Sequence, residues 1–142
     1  MAAEDEVRAA SARFYTALNS MMTGDAGPLA QAWSHSPDVS TMHPIGGREA
    51  GWDQVRGSFE GVAGLASAGS VELRDQSIHL GTDMAYELGT EAGKITLAGE
   101  QLTIEQRVTN VYRREGGEWK LVHHHTDISP AMLELLSRLQ AA

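Results

Sequence analysis

The chain contains no cysteine. That excludes disulfides, thiolate metal centres and thiol nucleophiles, and it leaves the redox compartment open. Basic residues are scarce as well, 11 lysines and arginines against 19 aspartates and glutamates, for a net charge of −8. A field of that sign repels phosphate backbones, so no nucleic acid partner is expected. No apolar run approaches the roughly 18 residues that cross a bilayer, so no membrane span is expected. The first residues, MAAEDEVRAA, have neither the basic n-region nor the apolar h-region of a signal peptide. A cytoplasmic protein is the default expectation. A P-loop and a G-x-S-x-G elbow are also missing, and the glycines of GREAGWDQVRG do not follow a strand in the Rossmann manner. Nucleotide hydrolysis and hydride transfer therefore have little support, and no cofactor is expected.

What remains is a chain of 142 residues, enough for one domain, 1–142, with one core. Val7, Ala10, Phe14, Leu18 and Met21 recur at steps of three and four, which predicts an amphipathic helix over about residues 4–22. Gly24 ends it, and Asp25 caps a short second helix through Leu29, Ala32 and Trp33. SHSPD reads as a turn, Val39–Pro44 as a strand and IGGREAG as a tight loop. Trp52, Val55, Phe59 and Val62 predict a third helix, and AGLASAGS a break after it. The period then changes to two, with strands over Val71–Leu80, Met84–Glu91, Lys94–Leu97, Leu102–Arg114 and Trp119–Thr126. Gly116-Gly117 marks a hairpin turn between the last two. Ser129 and Pro130 open a final helix through Met132, Leu133, Leu136 and Leu139. Helices first and an antiparallel meander afterwards predict an α+β fold, a curved sheet wrapped by the N-terminal helices.

The last strand contains three consecutive histidines. A turn at Gly116-Gly117 sets Arg114 against Trp119, Tyr112 against Leu121, Asn110 against His123 and Val108 against His125. The more apolar face of this hairpin carries Trp119, Leu121, Tyr112, Val108 and Ile104 and is expected to meet the helices. On that register His123 and His125 point inward and His124 points out. Two buried imidazoles beside an amide demand partners, and the wall of a pocket supplies them. His43, Trp33 and Trp52 lie on loops that complete such a pocket, with Asn110 and Tyr112 orienting the imidazoles.

The segment RVTNVYRREGGEWKLVHHHTD, Arg107 to Asp127, carries an R-x-T, aromatic, G-x-W and H-x-H pattern, and HPIGGREAGWDQV, His43 to Val55, forms the approach to the sheet. In these segments and in the order of its elements the chain resembles the nuclear transport factor 2-like superfamily, and within it the SnoaL-like branch. The resemblance implies a cone of helices over a curved sheet with a ligand cavity at its wide end. It also implies, commonly, a homodimer through the outer sheet face. Relatives include steroid isomerases, polyketide cyclases, epoxide hydrolases, dehydratases and noncatalytic assembly domains, so fold alone does not select an activity. The association domain of the calcium/calmodulin-dependent kinases shares the hairpin but has arginine where Asn110 stands, which argues against the same pocket chemistry.

The expected function is binding of a small apolar organic molecule, with His125 or His123 as an acid/base group for isomerisation, cyclisation, dehydration or hydrolysis. An imidazole titrates near about 6.5, which suits proton transfer at neutrality. Two other readings stay open: histidines satisfied within the fold of a noncatalytic binding or dimerisation module, and ligation of a metal. A metal site wants about three protein ligands. Only His43, His35, Glu105 or Asp127 offer the third, and no metal is assigned. Arg107 is expected to pair with Glu105 on the outer face. Tyr15, beside Phe14 on the first helix, is a candidate donor to a developing enolate, as tyrosines are in steroid isomerases. Those enzymes also need a carboxylate base in the pocket, and no inward aspartate matches that role.

Overall fold

The computed structural model describes residues 2–141. Its elements are α1 (Ala3–Met21), α2 (Leu29–Ala32), β1 (Ser40–His43), β2 (Gly46–Ala50), α3 (Trp52–Leu65), β3 (Ala66–Leu80), β4 (Met84–Leu97), β5 (Glu100–Glu115), β6 (Glu118–Thr126) and α4 (Pro130–Ala141). The six strands form one sheet in the order β2-β1-β6-β5-β4-β3, antiparallel throughout except for the β1–β6 pair. This is the α+β arrangement expected, with the helices on one face. α1 opens with Glu4, Asp5 and Glu6 at the positive end of its dipole and buries Val7, Ala10, Phe14, Leu18 and Met21. Asn19 fastens it to β3 by donating to the Val71 carbonyl at 3.1 Å and accepting from the Val71 N–H at 2.7 Å.

Three expectations are revised. IGGREAG is not a loop: Gly46–Ala50 pairs with β1 as a short strand, with Thr41 opposite Glu49 and His43 opposite Gly46. AGLASAGS is largely strand, because β3 begins at Ala66. Met84–Glu91 and Lys94–Leu97 are one strand, running through Gly89 and Gly93. Those glycines interrupt the hydrophobic alternation because β3 lies too close for a side chain there. A Cβ on Gly93 would collide with the Ser70 carbonyl oxygen.

The fourth revision decides the site. The β5–β6 hairpin turns at Gly116-Gly117, both at positive φ (58° and 82°), as a two-glycine hairpin turn allows. Arg114 faces Trp119 and Tyr112 faces Leu121, as expected. The next pair is Val111 with His123, so Val122 is an extra residue, a β-bulge. Leu121 and Val122 are both buried, and beyond them every side chain changes face. His124 lies opposite Asn110 and is buried, whereas His123 is half-buried and His125 exposed on the outer face. The inward placement expected for His123 and His125 is thus incorrect, and the cause is one inserted residue in a period-two pattern.

Candidate functional site

The inward face of β4, β5 and β6 carries a buried polar network. β4 contributes Glu87 and Glu91, β5 contributes Gln106, Asn110 and Tyr112, β6 contributes His124, and α1 lowers Tyr15 onto them. Asn110 is its hub. The amide nitrogen donates to the Tyr15 hydroxyl at 3.1 Å and to Glu87 Oε1 at 2.9 Å, and Oδ1 lies 2.6 Å from His124 Nδ1. Glu87 also accepts from the Tyr112 hydroxyl at 2.8 Å and from Gln76 Nε2 at 2.6 Å. Glu91 accepts from the Tyr15 hydroxyl and from Gln106 Nε2, each at 2.8 Å.

This connectivity fixes the state of His124. Both Asn110 amide hydrogens are engaged, so its Oδ1 must accept and His124 Nδ1 must donate. In the neutral ring that leaves Nε2 as a bare lone pair. Burial holds the His124 pKa well below the usual histidine range, and charge on His43, His123 or His125 would push it down further. His124 is therefore neutral at physiological pH. Burial also raises the Glu91 carboxyl, against the opposing hydrogen bonds from Gln106 and Tyr15. Tyr15 and Tyr112 are raised by burial first and by the neighbouring glutamates second, so both keep their protons. Nε2 of His124 and Oε2 of Glu91 stand 3.9 Å apart, beyond direct hydrogen-bond reach.

His124, Gln106 and His43 are the polar lining residues of a partly open cavity of about 80 Å³. The rest of its lining is apolar, including Leu18 and Met21 of α1, Met22 just after it, Phe59 of α3, and Met132 and Leu136 of α4. The His43 and His124 rings are 6.3 Å apart, and each packs against Phe59. Ser58 Oγ donates to the Val55 carbonyl at 2.6 Å and so accepts from His43 Nε2 at 2.8 Å. Burial lowers the His43 pKa, and Glu49, 3.5 Å from Nε2, opposes that shift.

The sequence-derived candidates thus divide. Tyr15, Asn110 and Tyr112 belong to the buried network, and His43 lines the cavity. Trp33 and Trp52 do not line it. Trp33 is buried against Phe14 and Phe59, and Trp52 stacks on His35 with ring centres 4.4 Å apart. His123 and His125 lie outside, their rings 6.0 Å apart, with His123 Nδ1 2.8 Å from Ser40 Oγ. Arg107 pairs with Asp127, not Glu105, through Nε–Oδ2 at 2.9 Å and a second nitrogen to Oδ1 at 3.0 Å. The sequence reading missed Glu87, Glu91, Gln106 and His124. Glutamates alternating along a strand look like a solvent face, and only the adjacent pair Leu121-Val122 hints that the facing changes. Among the described residues, no group of three or more histidines and carboxylates is arranged to hold a metal ion. No described helix is long and apolar enough to cross a membrane.

A family model described as a SnoaL-like domain matches residues 7–132. The chain belongs to the SnoaL-like family. Solved structures place this SnoaL-like chain within the nuclear transport factor 2-like superfamily. A protein from Streptomyces avermitilis named "putative dehydratase from the NTF2-like family" is 25% identical, over 88% of this chain and 94% of its own, with a TM-score of 0.78. A superfamily member from Salmonella enterica is 21% identical over 87% and 88%, also at 0.78. A protein of cystatin-like fold from Caulobacter vibrioides is 20% identical over 96% and 97%, at 0.72. No curated protein matches the chain.

Proposed function

We propose that this SnoaL-like protein binds a small organic molecule in the cavity and moves a proton on it without a cofactor, with His124 as the base. One observation carries the reading: a neutral imidazole, its tautomer set by Asn110 and its Nε2 left as a lone pair, is among the few polar residues lining an apolar chamber. Such a base takes a proton from carbon next to a carbonyl and returns it to another atom, the step shared by isomerisation, dehydration and ring closure. Behind the wall the Tyr15 hydroxyl, held protonated by burial, donates to Glu91, whose carboxyl burial raises. The S. avermitilis relative named as a dehydratase is compatible with this class of chemistry. A panel of small aldehydes, ketones and hydroxyketones in D₂O tests it. At least one should gain deuterium beside its carbonyl about 100-fold faster with the wild-type protein than with a folded His124→Phe variant. Equal rates for the two proteins would reject His124 as the base. Binding without exchange would make the protein a noncatalytic carrier.

A second reading concerns assembly. The outer face of β4 exposes Met84, Tyr86 and Leu88 at 46%, 45% and 40%, and His79 stacks on Tyr86 at 4.6 Å. Large side chains left in water along one strand favour pairing of two copies through this face. Leu88→Asp should convert a dimer to a monomer in analytical ultracentrifugation. A wild-type chain that sediments as a monomer rejects the reading.

A further inference from the structure

The bulge at Val122 turns two histidines away from the chamber and leaves them beside each other. His123 and His125 share the outer face of β6, with ring centres 6.0 Å apart. Across the β1–β6 pairing, Ser40 lies opposite His123 and Met42 lies opposite His125. Neighbouring strands run about 5 Å apart, and their paired residues project from the same face. β1 buries Thr41 and His43 and leaves Ser40 and Met42 half-buried, so the latter two share the outer face with the histidines. Met42 and His125 line one open groove there. Two imidazoles and a thioether thus meet at one place on the outer surface.

The donors define the ion they suit. Ser40 Oγ, 2.8 Å from His123 Nδ1, occupies that nitrogen and leaves Nε2 for coordination, the outer hydrogen bond that orients a ligating imidazole. His125 is exposed, so its ring is free to turn a nitrogen toward an ion. A ligating nitrogen sits about 2 Å from its ion and the ring centre about 1 Å beyond, so one ion between two opposed rings separates their centres by roughly 6 Å. Asp127, the next outward side chain, is held by Arg107 through both oxygens. The donor set is therefore neutral and contains a soft sulfur. Zinc wants three or more nitrogen, oxygen or thiolate ligands from the protein. Thioether sulfur with imidazole selects monovalent copper, which accepts two or three donors. We infer that His123, His125 and Met42 bind a cuprous ion on the outer face of the sheet. The site is separate from the chamber, because the intervening His124 is buried on the opposite face of β6.

The full chain without a histidine tag, carbon-13 labelled at its methionine methyls, is titrated with silver(I), a redox-inert stand-in for cuprous ion, and followed by NMR. The Met42 methyl and the ring signals of His123 and His125 should shift to an end-point of one ion per chain, while the exposed ring of His79 stays still. Cuprous affinity is read by competition with bicinchoninate under nitrogen. His125→Ala should weaken it at least about 100-fold and Met42→Leu about tenfold, with zinc affinity unchanged in the second variant. Neither residue belongs to the buried core, and matching circular dichroism spectra confirm that the variants fold. Histidine shifts with a silent Met42 methyl, or equal copper affinity for wild type and Met42→Leu, overturn the assignment to copper. The absence of any shift at His123 and His125 overturns the site itself.

Discussion

Replacing Asn110 with leucine is expected to lower folding stability by about 3–5 kcal/mol. The two side chains branch alike, and although leucine's bulkier methyl groups add some overpacking, packing is not the main source of the loss. It comes from partners left behind: the His124 Nδ1–H with no acceptor, and the Tyr15 hydroxyl and Glu87 each short of one donor, all in a site where Asn110 itself is fully buried. Networks of this kind lose more than pairwise sums because each member holds the next in place. Urea denaturation of the two proteins measures the effect. A difference below about 1 kcal/mol, the worth of a single ordinary hydrogen bond, would show that the members are independent. Asn110 would then not fix the His124 tautomer.

Gly93→Ala is expected to destabilise by about 3 kcal/mol, at the upper end for an overpacked site. Alanine normally outperforms glycine within a strand, so the sign is the test. Here the added methyl meets the carbonyl of Ser70 and the Cα of Val71, backbone atoms of β3 that cannot rotate away. The cost is spread over the whole β3–β4 pairing, because relieving the collision means parting the strands. Gly57→Ala on α3 is the control. Nothing lies within 4 Å of its added Cβ, and the helix should gain about 0.5–1 kcal/mol. If both alanines stabilise, the close approach of β3 to β4 is not tight enough to matter.

How far the sequence led depends on which physical rule each segment obeys. The amphipathic stripe of α1, the two-glycine turn and the Ser129-Pro130 helix start are local signals, and each identified its element. Hairpin register was legible from the turn as far as Leu121. It failed at Val122 because nothing distinguishes a bulged valine from a paired one except that two apolar residues stand together. The consequence was large for the site: the imidazole brought into the interior is the one the alternation had placed outside. β2 was hidden because Gly46, Gly47, Arg48 and Glu49 have turn composition, and only pairing with β1 makes them strand. The buried glutamates were hidden for a deeper reason. A carboxyl group enters a core only where several donors converge on it, and those donors come from α1, β3 and β5, far apart in the chain.

α4 gives the chamber its outer wall through Met132 and Leu136, yet its hold on the rest of the fold is slight. It starts from Ser129, whose N–H donates to the Pro44 carbonyl at 2.8 Å, and near its far end Arg138 meets Glu100 at 2.9 Å in an exposed ion pair. None of its backbone is part of the sheet. Swinging this segment aside breaks no strand pairing and exposes only a few apolar side chains, far less than global unfolding does. A guest larger than the resting chamber would have to displace this one helix, and the six-stranded sheet would stay intact.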